Sequence, residues 1–303
     1  LYSQIQVNDL VLVREENDFV THRIIYKTKS YVVTKGDHNQ KSDGKIYPIN
    51  IYGRVAKVKR AGKLIDPECY YDIQAAFYFQ EIVDFKQQLE RENIEVVFLK
   101  GLPLHLYYEK SYPRRNYFDC DILIKQKYTK RVDALIKKLG YEKIQETFFT
   151  NQEKIKDKTT ETSYFKSIHN IFVVFDIHVE IVFMMTQLGK LEVLYPHRLI
   201  NEFTEYCIRE KRRVKIYNEH FFILAPHNLV IYLALHFFHH NFIGIYMLDF
   251  LDKVIRHEKK FSLPNTKKII LYFRLGNFIY PTFVLLKKYF LTPINIKLIN
   301  KNY

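Results

Sequence analysis

The stretch YPRRNYFDCDILIK, residues 112–125, decides how the chain is read. It places two carboxylates, Asp119 and Asp121, one residue apart at the mouth of an apolar run. In a β-strand residues i and i+2 share a face, so both acids point one way while Cys120 and Ile122 point the other. Like charges held that close repel, and each resists ionising beside the other. A cation between them removes the conflict. A second stretch, FVVFDIHVEIV (172–182), has the same period, with Asp176, His178 and Glu180 alternating with Phe175, Ile177, Val179 and Ile181. If the two strands are neighbours, Asp119, Asp121 and Asp176 converge. Oxygen ligands of this kind suit a hard divalent cation, and Mg²⁺ is typically held by one or two carboxylates plus substrate phosphates. The plainer reading of a lone D-x-D is an amphipathic strand with one wet face.

The surroundings add to the pattern. EVVFLKG (95–101) ends a strand at Lys100-Gly101 and opens a helix. A glycine there lets backbone N–H groups and the helix N-terminus approach a phosphate. Arg115 lies four residues before Asp119 and is placed to reach the same mouth. As ordinary surface charges, Lys100 and Arg115 would need no such role.

At 303 residues, 48% of them hydrophobic, the chain is long and apolar enough for a real core and for two domains. Lys and Arg outnumber Asp and Glu by 47 to 33, a net charge of +14 that favours anionic partners such as nucleotide phosphates, nucleic acid or an acidic membrane surface. A compositional bias toward Lys, Asn, Ile and Tyr accounts for the charge equally well. Three cysteines, Cys69, Cys120 and Cys207, lie far apart without a C-x-x-C, which fits a reducing cytoplasm better than a disulfide framework or zinc ribbon. No apolar run reaches spanning length, because the most apolar helix, LVIYLALHFFHHNFIGIYMLDFL (229–251), is interrupted by histidines. No signal-peptide pattern opens the sequence, which starts at Leu1.

Two regions differ in character. Residues 1–65 read as short β-branched strands between turn residues, a small all-β module. Residues 66–303 alternate helical and strand patterns: a long amphipathic helix in YYDIQAAFYFQEIVDFKQQLERENI, short buried strands, a helix closed by Gly140, and a mostly helical last third. The expected class is α+β, with a mixed sheet, flanking helices and a helical C-terminal part.

The ordered set VVFLKGLPLHLYY, RRNYFDCDILIK, LGY, FVVFDIHVEI, LHFFHHNF and LDFLDKV resembles the uncharacterised bacterial nucleotidyltransferase family of the DNA polymerase beta-like superfamily. That pattern has an L-K-G turn, an Arg before a D-x-D, a later D-x-H strand, and H-x-x-x-H on a helix near a Leu-Asp pair. Here these fall on Leu99-Lys100-Gly101, Arg115, Asp119 with Asp121, Asp176 with His178, His236 with His240, and Leu248-Asp249. The resemblance covers roughly residues 67–280 and departs from the wider superfamily at its Gly-Ser turn, which is Lys-Gly here. It implies that Asp119 and Asp121 coordinate Mg²⁺, that Asp176 completes the metal site and is a base toward the acceptor hydroxyl, and that Lys100, the Gly101 amide and Arg115 hold a nucleoside triphosphate such as ATP. It further implies in-line attack on the α-phosphate with pyrophosphate leaving, two metals about 3.5–4 Å apart stabilising the attacking and leaving oxygens.

His236, His239 and His240 fall at i, i+3 and i+4 of a helix and share a face. A transition-metal site is one reading of the three histidines, but the set is not H-E-x-x-H and no nearby glutamate completes it. The resemblance places His236 and His240 beside the acceptor or base, and His178 with them; plain packing is the alternative. RRVKIY (212–217) alternates as an exposed hairpin strand, a solvated edge rather than a nucleic-acid surface.

The N-terminal segment resembles the later part of a type I signal peptidase of the archaeal or endoplasmic-reticulum kind. It carries His22-Arg23, a K-G-D-x-N turn at Lys35–Asn39 with Asp43 beyond, and Gly53-Arg54-Val55. In such enzymes a histidine activates a serine and an aspartate orients the histidine, roles that would fall to His22 and to Asp37 or Asp43. The serine box belongs before Val7, where Ser3 lacks the Ser-Met-x-Pro context, and the anchoring helix is absent from this sequence. The segment then reads as a truncated peptidase copy or a retained β-module that binds a peptide.

Together these point to a Mg²⁺-dependent nucleotidyltransferase with a nucleoside triphosphate and a small-molecule or peptide acceptor as partners, nucleic acid being less favoured. The competing readings are a scaffold with two degenerate modules, and a fragment of a serine peptidase fused to a nucleotidyltransferase.

Overall fold

The computed structural model describes residues 1–15, 18–36, 39, 41–60, 62–110, 117, 119–144, 160–168, 171–181, 195–258 and 261–295. The chain forms two compact units, Leu1–Tyr78 with Tyr112–Tyr117, and Phe79–Ser111 with Phe118–Tyr303. The class is mixed α+β, with eight helices among the described residues.

In the first unit, β1 (Leu10–Glu15), β2 (Asp18–Lys27), β3 (Val32–Lys35), β4 (Lys45–Ile46) and β5 (Ile51–Arg54) form an antiparallel sheet in the order β4-β3-β2-β1-β5. Along β1, Val11 and Val13 are buried while Leu12 and Arg14 face out, the two-residue period of a sheet with one covered face. Those valines join Ile5, Ile24, Val32, Ile46 and Ile51 in one core. A hairpin of β6 (Val58–Arg60) and β7 (Lys63–Ile65) follows. Helix α1 (Pro67–Arg91) then starts on a proline, which fits a first turn because its missing N–H has no helical partner there.

The second unit is built on a seven-stranded sheet. Its strands are β8 (Val96–Phe98), β9 (Asp119–Ile124), β10 (Glu142–Lys143), β11 (Glu161–Ile168), β12 (Ile171–His178), β13 (Arg212–Ile216) and β14 (Glu219–Ile223), in the order β10-β11-β12-β9-β8-β14-β13. The central strand β9 runs antiparallel to β8 and parallel to β12. A parallel pair needs a crossover, supplied in part by α3 (Thr129–Lys138), which buries Val132 and Ile136 on one face. Phe175, on the face of β12 opposite Asp176, packs against Phe85 and Tyr141 with ring centroids 4.7 and 5.2 Å apart. The hairpin β13–β14 puts β13 at the sheet edge, as its alternating charges predict.

Beyond the sheet, α2 (Leu102–Glu109) leads from β8, and α4 (His197–Arg209), α5 (Pro226–His239), α6 (Ile245–His257), α7 (Leu263–Tyr272) and α8 (Gly276–Phe290) make up the rest. Helix α5 is buried on nearly every side and packs against α6, α7 and α8. The sequence reading of one helix through residues 229–251 is corrected here: it is two helices joined at 240–244. Asn241, Phe242 and Gly244 all take positive φ there, which a continuing helix forbids. No described helix is long and apolar enough to cross a membrane.

Candidate active site

The site forms in the second unit where β8 ends, β9 begins and β12 runs alongside β9. Strand β8 stops at Phe98, and the Leu99 amide donates to the Asp121 carbonyl at 2.9 Å, tying the following turn to β9. Gly101 then takes φ 93° and ψ −162°, a conformation open essentially to glycine alone. A Cβ there would meet the Asp119 backbone oxygen at 3.0 Å. The glycine thus lets the turn press against β9, and Lys100 reaches over the strand as a result. Its Nζ lies 2.7 Å from Asp119 Oδ2 and 2.8 Å from Asp121 Oδ2.

Strand β12 supplies the third acid. Its register with β9 sets Asp176 opposite Asp121, and one carboxylate oxygen each from Asp119, Asp121 and Asp176 lies within 4.8 Å of the others. Asp121 is buried; Asp119 and Asp176 are half-buried. Asp121 Oδ1 is hydrogen-bonded to His178 Nε2 at 3.0 Å, whereas buried Asp121 Oδ2 accepts no hydrogen bond from any described residue. The Lys100 ammonium, 2.8 Å away, neutralises that oxygen as an ion pair. A buried carboxylate oxygen left in this state, beside two further carboxylates, fits a divalent cation that takes oxygen ligands.

The electrostatics follow from burial and proximity. Burial alone would raise the Asp121 carboxyl, but the Lys100 ammonium and the His178 ring hold it well below the usual carboxylate range. Burial, then the charge of Asp121, pushes Asp176 up to about 7, against the hydrogen bond from Ser163. Lys100 is raised because the charges of Asp121 and Asp119 outweigh its burial. His178 is raised by its hydrogen bond to Asp121 against the effect of burial. Its Nδ1 faces Glu161 Oε2 at 3.7 Å, and β11 brings Glu161 opposite His178 and Ser163 opposite Asp176. Glu161, Ser163 and Tyr232 have no motif, and only strand register or helix packing could find them. Tyr232 is buried, and its hydroxyl is raised by burial and then by the charge of Asp121.

His236 and His240 are hydrogen-bonded to each other, Nε2 to Nε2, at 3.2 Å on α5 and just beyond its end. Both are lowered, first by burial and next by the Lys100 ammonium, so both lie within its electrostatic reach. His239 is pushed down to about 4 by burial, His240 and Lys100. His178 is 4% exposed, beneath Asp121. Asp249 pairs with Lys253 at 2.9 Å on the outside of α6. Arg115 lies outside the described residues, as does Asp37 in the first unit.

Within the first unit His22 and Asp43 meet, Nδ1 to Oδ2, at 2.7 Å, and Thr34 Oγ1 donates to the same Asp43 oxygen at 2.7 Å. Buried Arg23 is tied to the Asn8 carbonyl at 2.9 Å and donates to the Tyr71 hydroxyl.

Residues 69–290 match the family described as "Uncharacterised nucleotidyltransferase". The chain belongs to that family. For this nucleotidyltransferase family member the match takes in Lys100, Gly101, all three converging aspartates and the histidine pair, and begins after the N-terminal β-module. No curated protein matches the chain. Among solved structures, an antigenic nucleotidyltransferase-like protein from Paracoccidioides brasiliensis is similar over 61% of this chain and 75% of that one, at 12% identity and a TM-score of 0.35. At that distance the likeness carries no weight for the chemistry.

Proposed function

We infer that this nucleotidyltransferase moves a nucleoside monophosphate from a nucleoside triphosphate such as ATP to a hydroxyl of a small molecule or peptide, with Mg²⁺ held by Asp119, Asp121 and Asp176. The observation that carries the reading is the meeting of three carboxylates from two parallel strands, two of them sharing the Lys100 ammonium. When bound, the metal supplies charge neutralisation and polarisation of the phosphate oxygens. Lys100 and the Gly101 amide bear on the triphosphate, and Arg115 is assigned the same task from the sequence. Asp176 Oδ takes the proton of the acceptor hydroxyl. The acceptor oxygen bonds to the α-phosphorus as the α–β bridging bond breaks, and pyrophosphate leaves. His178 holds Asp121 in place from below, and His236 with His240 stands on the acceptor side.

The N-terminal module, with its His22–Asp43 pair, is assigned to peptide binding on its resemblance to a signal peptidase. A reducing, cytoplasmic setting is supported by Cys120 and Cys207, both buried and free. The test is calorimetric titration of Mg·ATP into the wild type and the Asp119→Ala and Asp121→Ala variants. Metal-dependent binding that both substitutions abolish supports the reading, and unchanged binding ends it. Incubation with each labelled triphosphate and candidate acceptors, followed by product mass, then identifies what is transferred and to what.

A further inference from the structure

Lys100 stands where a metal would stand. Its Nζ lies 2.7 and 2.8 Å from oxygens of two of the three carboxylates of the site, and one of those oxygens accepts no hydrogen bond from a described residue. The ammonium is held there by one hydrogen bond, donated to Asp119 Oδ2, and by the charge of both carboxylates. Its backbone has little freedom to follow a displacement: the preceding amide is bonded to Asp121, and Gly101 is pressed against β9. The four-carbon stem is the part that can move, and its side chain is 21% exposed, so a path outward is open. A divalent ion between Asp119 and Asp121 would repel an ammonium left in contact with the same oxygens.

Resting on the proposed metal site, we propose that Lys100 is a tethered competitor for that site, which a divalent metal must displace and which the nucleotide's phosphates then receive. In the metal-free protein the ammonium neutralises Asp119 and Asp121 and weakens binding of a bare ion. A metal–nucleotide complex brings the anion that accepts the released ammonium. Metal and nucleotide are therefore coupled through one side chain, and the coupling acts equally in both directions. The device disfavours a site loaded with metal alone.

The experiment titrates Mn²⁺ into the full chain, with and without a non-hydrolysable nucleoside triphosphate analogue, for wild type, Lys100→Met, Lys100→Arg and Asp121→Asn. Without nucleotide, Lys100→Met binds Mn²⁺ about tenfold more tightly than wild type, while Lys100→Arg, which keeps the charge, stays near wild type. The analogue tightens Mn²⁺ binding by about tenfold in wild type and by less than about threefold in Lys100→Met. Equal or weaker Mn²⁺ binding by a folded Lys100→Met overturns the inference while leaving the metal site standing. Mn²⁺ binding that Asp121→Asn does not weaken, or no binding in any form, overturns the site and this inference together. Should Lys100→Met fail to fold, acetylation of the Lys100 amine in wild type is read by mass spectrometry. Mn²⁺ raises its extent if the amine is displaced, and an unchanged extent refutes the displacement.

Discussion

Replacing Gly101 with alanine tests whether the turn, and not only the acids, builds the site. Two costs follow from the structure. The position has φ 93° and ψ −162°, a region that costs a non-glycine residue about 1–3 kcal/mol. The new Cβ would also lie 3.0 Å from the Asp119 backbone oxygen, which belongs to a central strand and cannot yield cheaply. Together they amount to about 3–4 kcal/mol of lost stability. Gly140 is the control, because its φ is also positive at 84° but its nearest neighbour would be the far end of the Lys166 side chain at 3.8 Å. Gly140→Ala carries only the left-handed cost of about 1–2 kcal/mol. Urea unfolding followed by circular dichroism, with equal m-values for all three proteins, reads the difference. If Gly101→Ala and Gly140→Ala agree within about 0.5 kcal/mol, the close approach to β9 does not constrain the turn. If the turn instead relaxes outward, Lys100 leaves its carboxylates, and Gly101→Ala reproduces the tightened Mn²⁺ binding expected of Lys100→Met.

His178→Ala removes the partner of Asp121 Oδ1 and leaves a buried carboxylate short of a bond, at a cost of about 3 kcal/mol; His178→Ala combined with Asp121→Asn recovers part of that, and strict additivity in the double-mutant cycle would refute the coupling. His239 titrates near 4 in the folded protein and near 6.5 unfolded, so the unfolded chain takes up its proton first. Its stability contribution is whole above about pH 6.5 and declines as pH falls toward 4, and His239→Gln flattens that part of the curve; an unchanged pH dependence contradicts the burial of the ring. Cys120 and Cys207 react with a thiol reagent only as fast as the protein opens, and immediate labelling of either in the native state would show the strand or helix packing to be wrong.

What the sequence determines by itself is local. The alternation in DCDILI and FVVFDIHVEI is a two-residue period, so it identifies each strand and the shared face of Asp119 with Asp121, and of Asp176 with His178, without any neighbour. The alternating hairpin at Arg212–Ile216 and the helix ended by Gly140 are legible on the same ground. The ordered motifs were enough to point to the family. Tertiary structure decides which strands touch and in what register. Nothing near Asp176 in the chain states that β12 lies parallel to β9 with Asp176 opposite Asp121, because that pairing follows a crossover and is chosen by the packing of both sheet faces. The same holds for Lys100 between two acids, for Glu161 and Ser163 behind His178 and Asp176, and for the break at 240–244 that periodicity alone carries straight through. Spacing along a chain is set by backbone geometry a few residues at a time, whereas a charged site is set by which distant segments the core brings within a few ångströms.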